Sequence, residues 1–125
     1  MQGVGEALRV LLVDDYDPFR SCVARYLRKR LGAEVIEVGD GADALAQQNG
    51  PFDVVLLDVD MPHLDGAATY AQLRPELARR TLLVTSGPSH PELIDFVRAF
   101  DPERVFVKPV DLERLVTAVT TITTA

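Results

Sequence analysis

The chain has 125 residues, 47% hydrophobic and 26% charged, with a formal net charge of -6 and a pI near 4.8. That size and balance fit one globular domain with a single core, and the acidity argues against nucleic-acid binding, which needs a basic face to neutralise phosphates. No apolar run approaches the roughly 20 residues of a membrane span, the first residues lack the pattern of a secretion signal, and the single cysteine, Cys22, excludes an internal disulfide and suits the reducing cytoplasm.

Residues 1–7, with two glycines, are expected to form a flexible leader to a domain over residues 8–122. The run LRVLLV, residues 8–13, reads as a strand and ends in two carboxylates, Asp14 and Asp15. Pro18 suits the first turn of a helix, whose apolar stripe would be Phe19, Cys22, Val23, Tyr26, Leu27 and Leu31. Its other face carries Arg20, Arg25, Arg28, Lys29 and Arg30, which reads equally well as solvated surface or as a docking face. Gly32 ends that helix. Residues 34–38 are short, β-branched and partly alternating, as an edge-like strand would be. Gly39-Asp40-Gly41 then turns the chain into a small Ala-rich helix over about residues 42–48, closed by Asn49-Gly50-Pro51.

Val54 to Leu57 are four aliphatic residues without polar alternation, the pattern of a strand buried on both faces. The run stops at Asp58, with Asp60 and Pro62 close behind. Asp58 has two readings at this point. It either marks where the strand meets water, or it stands at the carboxyl end of a parallel strand, where open α/β sheets place ligand chemistry. A helix over about residues 66–74 should stop before Pro75. Residues 81–84 form a fourth strand, ending at Thr85-Ser86-Gly87, and the loop Pro88-Ser89-His90-Pro91 leads into a helix with Leu93, Ile94, Val97 and Phe100 on one face. Residues 105–107 make a fifth strand, ending at Lys108-Pro109. The last helix starts near Asp111 and buries Leu112, Leu115, Val116 and Val119. Its Thr-rich end, from Thr117, has poor helix propensity and is expected to fray, with residues 123–125 outside the domain.

Five strands alternating with five helices imply an α/β fold, a parallel sheet with helices on both faces. Periodicity leaves the strand order open. In such a sheet all carboxyl ends share one edge, and four of the five strands bring polar groups there: Asp14 with Asp15, Asp58, Thr85 with Ser86, and Lys108. Three carboxylates held together repel one another unless a cation intervenes. All-oxygen ligation is the pattern of Mg²⁺, with Mn²⁺ as a substitute, and not of zinc. His63 and His90 lie in loops without ligand spacing and read as surface residues. A hydroxyl at Thr85 and an ammonium at Lys108 complement a phosphoryl group. An aspartate can be the nucleophile toward phosphorus, giving an aspartyl phosphate, with positioning and charge neutralisation carrying most of the transfer.

Asp14-Asp15, Asp58 followed by Met61-Pro62 and Asp65-Gly66, then Thr85, then Lys108-Pro109, in this order and spacing, resemble the receiver domain of two-component response regulators. The resemblance runs from about Leu8 to Val119. It implies a flavodoxin-like, doubly wound sheet of order 2-1-3-4-5, with the site where that order reverses. It implies Asp58 as phosphoacceptor, with Mg²⁺ held by Asp15, Asp58 and the backbone carbonyl of Asp60, and by Asp14 through water. Thr85 would follow the phosphoryl group, Lys108 would pair with it, and the Lys108-Pro109 peptide would be cis. The phosphoryl donor would be a histidine kinase or a histidine phosphotransfer protein, and the domain a cytoplasmic switch that turns over no other substrate. Two copies could pair through the face made by the fourth helix, fifth strand and fifth helix.

Three positions depart from that pattern. Val105 stands where relatives often carry an aromatic switch ring, and Phe106 beside it should point to the opposite side of the strand. Ser86 replaces a small apolar residue and offers a second hydroxyl to a phosphoryl group. Pro88 and Pro91 bracket a loop that commonly moves on activation, and each fixes one φ, so a stiffer loop is expected. Asp60 is the acidic side chain nearest the expected phosphate, either a solvated loop residue or one that tunes phosphoryl lifetime. Two other functions compete with the receiver. A receiver-like module could signal without phosphorylation. Asp58-Val59-Asp60 also resembles the DxD motif of haloacid-dehalogenase-type phosphatases, but in that family the acidic pair follows the other motifs, and 125 residues leave no room for a cap domain.

Overall fold

The computed structural model describes residues 7–124, so most of the expected leader, residues 1–6, and residue 125 lie outside the described residues. Five strands, β1 (Arg9–Val13), β2 (Glu34–Val38), β3 (Val54–Asp58), β4 (Thr81–Thr85) and β5 (Val105–Val107), pair in parallel in the order β2-β1-β3-β4-β5. Between and after them run α1 (Asp17–Leu31), α2 (Gly41–Gln47), α3 (Gly66–Ala71), α4 (Pro75–Ala78), α5 (Pro91–Arg98) and α6 (Leu112–Thr124), with a 3₁₀ turn at Pro102–Arg104.

The uninterrupted aliphatic strands have a physical use: successive side chains enter two different cores. Val10, Leu12, Val54, Leu56, Leu82, Val84 and Phe106 pack against Val23, Ala24 and Leu27 of α1 and Leu115, Val116, Val119 and Ile122 of α6. The alternate residues Leu11, Val13, Val55, Leu57 and Leu83 pack against Ala44 of α2, Leu77 of α4 and Leu93 of α5. Each fully buried leucine or valine contributes about 1.5–3 kcal/mol by leaving water. A strand slipped by one residue would exchange the two sets, so register is tightly specified.

The helices depart from expectation in three places. Six form, not five, because Pro75 opens a helix of its own. Arg74 before it is extended (φ -57, ψ 146), and proline, whose φ already suits the first helical position, starts α4. The Arg74 guanidinium fixes this corner, donating from Nε to the Gln48 carbonyl at 3.0 Å. Cys22 is exposed, while Ala24 is buried in its place. At about 3.6 residues per turn, Val23, Ala24 and Leu27 define the inner side and Cys22 falls nearly opposite it. Finally, α6 stays helical to Thr124, where fraying was expected from Thr117. Buried Ile122 anchors the end, and the threonine hydroxyls satisfy themselves on the helix, Thr120 Oγ1 donating to the Val116 carbonyl and Thr124 Oγ1 to the Thr120 carbonyl, both at 2.9 Å. Among the described residues no helix is long and apolar enough to cross a membrane.

Candidate functional site

Strand register builds the site. Val13 pairs with Leu57, so the next residues on β1 and β3, Asp14 and Asp58, come out side by side. Asp58 pairs with Val84, which sets Thr85 one step beyond it on β4. Thr85 pairs with Val107, and the Lys108 N–H donates to the Thr85 carbonyl at 2.8 Å. The order of the sheet reverses between β1 and β3, and that crevice is where a doubly wound sheet binds ligands.

Carboxylate oxygens of Asp14, Asp15 and Asp58 all lie within 4.8 Å of one another. Asp14 and Asp58 are buried and Asp15 is exposed. Asp14 is held firmly: its Oδ1 accepts from the Tyr16 N–H at 2.8 Å, and its Oδ2 lies 3.0 Å from Lys108 Nζ in an ion pair without the alignment of a hydrogen bond. Lys108 also sits 4.4 Å from the centre of the Phe19 ring, so one cation is shared between an acid and an aromatic face. Burial pushes the Asp58 carboxyl up to about 7. The Asp14 charge and a hydrogen bond with Asp15 push the same way, while Lys108 and the Asp60 N–H pull it back. A buried carboxyl that resists ionisation beside two others is a site short of positive charge. An all-oxygen donor set of this kind fits a hard divalent cation such as Mg²⁺.

The other residues singled out from the sequence fall as follows. Thr85 is buried, and its Oγ1 accepts from the Gly87 N–H at 2.9 Å, which leaves the hydroxyl proton free for another acceptor. Ser86 beside it is exposed. The Asp60 N–H lies 3.4 Å from Asp58 Oδ1, and its side chain reaches across to the loop after β4, Oδ2 accepting from Ser89 Oγ at 2.8 Å. The Lys108–Pro109 peptide is cis. His63, in a left-handed turn (φ 68), and His90 are both exposed, and the grouped carboxylates include neither. Val105 packs in the α5-side core, near the edge-on cluster of Tyr70, Phe96 and Phe100. Phe106 faces the α1 and α6 side, where the Arg114 guanidinium covers its ring at 4.3 Å.

Periodicity alone missed several supports. Arg20, grouped with the solvated basic face of α1, is bent inward: it donates to the Asp14 carbonyl at 2.8 Å and pairs with Asp17 at 2.7 Å and Glu37 at 3.5 Å. Arg28 and Arg30 stay exposed but are paired, with Glu37 and Glu113, each at 3.2 Å, while Arg25 and Lys29 are exposed and in no ion pair among the described residues. Gly66 is required by close approach, since a Cβ there would stand 2.5 Å from the Asp58 carbonyl oxygen and 2.6 Å from Val59 Cα. Its N–H donates to the Val59 carbonyl at 2.7 Å, so the helix after the site packs directly on the strand end that carries Asp58. A separate hollow of about 390 Å³, lined by Leu82, Phe106, Arg114, Ala118 and Ile122, opens at the other end of the strands, away from the acids.

Comparison with known proteins follows the same lines. A family model described as the response regulator receiver domain matches residues 10–120. Protein PilG of Pseudomonas aeruginosa is 31% identical over 122 residues, covering 95% of this chain and 90% of PilG. The gliding motility regulatory protein of Myxococcus xanthus is 41% identical over 88 residues, 68% of this chain but 11% of that protein. Among solved structures, chemotaxis protein CheY4 of Vibrio cholerae superposes with a TM-score of 0.74 at 30% identity, covering 94% of this chain and 99% of that one. Against the first curated relatives, this chain spans 11%, 27% and 47% of their lengths.

Proposed function

The chain belongs to the response regulator receiver domain family, and we propose on that footing that it is a phosphoacceptor switch in which Asp58 takes a phosphoryl group from a histidine kinase or histidine phosphotransfer protein. The single observation that carries this is the juxtaposition of the Asp14, Asp15 and Asp58 carboxylates with Lys108 and Thr85 at one strand edge. In the transfer, an Asp58 carboxylate oxygen attacks phosphorus in line as the phosphorus–nitrogen bond of the donor histidine breaks. The electron pair leaves with the imidazole, and Asp58 becomes an acyl phosphate. Asp15, Asp58 and the Asp60 carbonyl would hold Mg²⁺, with Asp14 acting through water, and the ion would neutralise charge on the transferring oxygens. Thr85 donates its hydroxyl proton to one phosphoryl oxygen, and Lys108 moves from Asp14 to pair with another. Ser86, exposed beside Thr85, can supply a second hydroxyl.

Docking of the donor would use the α1 face through Arg25 and Lys29, which are exposed and, unlike Arg20, Arg28 and Arg30, in no ion pair among the described residues. The expected homodimer surface corresponds to α5, β5 and α6. The domain is regulatory, works in the cytoplasm, and turns over no separate substrate. Its phosphorylation is tested by labelling the chain with radioactive acetyl phosphate. Label should require Mg²⁺ and disappear in Asp58→Asn; label that survives the substitution would sink the assignment. Val105 at the switch position favours a second reading, a receiver-like module that signals without phosphorylation. Failure of the wild-type chain to bind beryllofluoride would move the balance to it.

A further inference from the structure

Resting on the reading of Asp58 as phosphoacceptor, we propose that Ser89 is a positioning residue that sets the lifetime of the aspartyl phosphate, by holding the Asp60 carboxylate across the mouth of the site. The Ser89 hydroxyl donates to Asp60 Oδ2 at 2.8 Å. The two residues lie in the loops after β4 and β3, which are neighbours in the sheet. Since Asp58 pairs with Val84, the clasp spans the gap between the strand ends that carry the nucleophile and the Thr85 hydroxyl. Beneath it Asp58 is 4% exposed and Thr85 2%. The Asp60 main chain stays close to the nucleophile, its N–H 3.4 Å from Asp58 Oδ1, so only the carboxylate is drawn to the far side.

Loss of the phosphoryl group requires a water oxygen to attack phosphorus opposite the Asp58 oxygen. The phosphorus–Oδ bond then breaks with its electron pair returning to the Asp58 carboxylate, the water proton passes to solvent, and orthophosphate leaves. That approach comes from beyond the strand ends, through the gap the clasp bridges. A carboxylate pinned there by the Ser89 hydroxyl obstructs the line along which water must reach phosphorus. Asp60 without Ser89 is a mobile loop side chain that does not. Thr85 Oγ1 anchors the same loop through the Gly87 N–H, and Gly87 (φ 114) has open space where a Cβ would lie. Ser89 thus supplies the one side-chain bond tying this loop to β3's loop among the described residues.

The test is the rate of label loss after acetyl phosphate is removed, in Mg²⁺, for the full chain carrying Ser89→Ala, Asp60→Ala, both together, and Ser89→Thr. Each alanine variant should shorten the lifetime roughly three- to tenfold, the scale of one hydrogen bond. The double variant should be no faster than either single one, because both break the same clasp. Ser89→Thr, which keeps the hydroxyl, should restore the wild-type lifetime, a rescue that loss of folding stability would not give. An unchanged lifetime in Ser89→Ala, effects that multiply in the double variant, or slower loss in Asp60→Ala each overturns the proposal while leaving Asp58 as phosphoacceptor. A wild-type chain that takes no label overturns the phosphoacceptor reading and this inference with it.

Discussion

Asp58→Asn should make the folded chain more stable at neutral pH while abolishing its chemistry. The Asp58 carboxyl sits at about 7 in the folded chain against 3.8 as the ordinary value. At 1.36 kcal/mol per pKa unit that difference is about 4 kcal/mol. Water reaching the open side of the site, and charge shared with Asp14, reduce the expected cost to about 2 kcal/mol. Because the folded value is raised, the cost is absent below about pH 4, where the carboxyl is protonated in both states. It grows between about pH 4 and 7 and is complete above 7. Asparagine keeps the shape without the charge. Urea unfolding followed by far-ultraviolet circular dichroism, in chelator, should therefore show variant and wild type equal near pH 4. Near pH 8 the variant should be ahead by about 2 kcal/mol. Added Mg²⁺ should then raise the wild type toward the variant, since it binds only the folded carboxylates. A variant less stable than wild type near pH 8, or a gap indifferent to pH, would refute the reasoning.

Gly66→Ala should cost about 2–3 kcal/mol, because its methyl meets backbone rather than a side chain able to turn aside; thermal melts measure the loss, and Mg²⁺ affinity should fall with it as the Asp58 carbonyl is displaced. Ile122→Ala should cost about 2 kcal/mol in the same assay if α6 is packed to its end, and close to nothing if the Thr-rich turn is loose. Lys108→Ala removes the cation 3.0 Å from Asp14 and leaves three carboxylates without it. It should bind Mg²⁺ more tightly than wild type in a calorimetric titration, and weaker binding would contradict the placement of Lys108.

How much was legible in the sequence follows from the range of the forces involved. The strands were visible because a residue buried on both faces must be apolar, and Val54 to Leu57 obey that without exception. The grouping at one edge was legible because parallel strands share their carboxyl ends, so that Asp14, Asp58, Thr85 and Lys108 had to come out together. What escaped was set by tertiary contact. Nothing local says that Arg20 turns back to the Asp14 carbonyl while Arg25, five residues on, stays in water. Cys22 and Ala24 are both small, and only the direction of the sheet decides which is covered. The low helix propensity of threonine is real, but the Val116 and Thr120 carbonyls accept its hydroxyls, and Ile122 finds a core to enter. Ser89 gave no signal at all, because its partner Asp60 lies 29 residues away.

The same comparison of forces explains why a destabilising cluster persists in a small domain. Asp14 and Asp58 are brought together not by attraction but by the register of Val13 with Leu57 and of Leu12 with Leu56. Each of those aliphatic residues is at most 1% exposed and contributes about 1.5–3 kcal/mol. The four together outweigh, several times over, the roughly 2 kcal/mol lost to burying the Asp58 carboxylate beside Asp14. Packing below the site therefore supplies the strain above it, and the strain is relieved by a proton on Asp58 or by positive charge, which Lys108 supplies in part and a divalent cation would supply further. The carboxylates are thus held together by the packing of the strands beneath them and not by any attraction of their own.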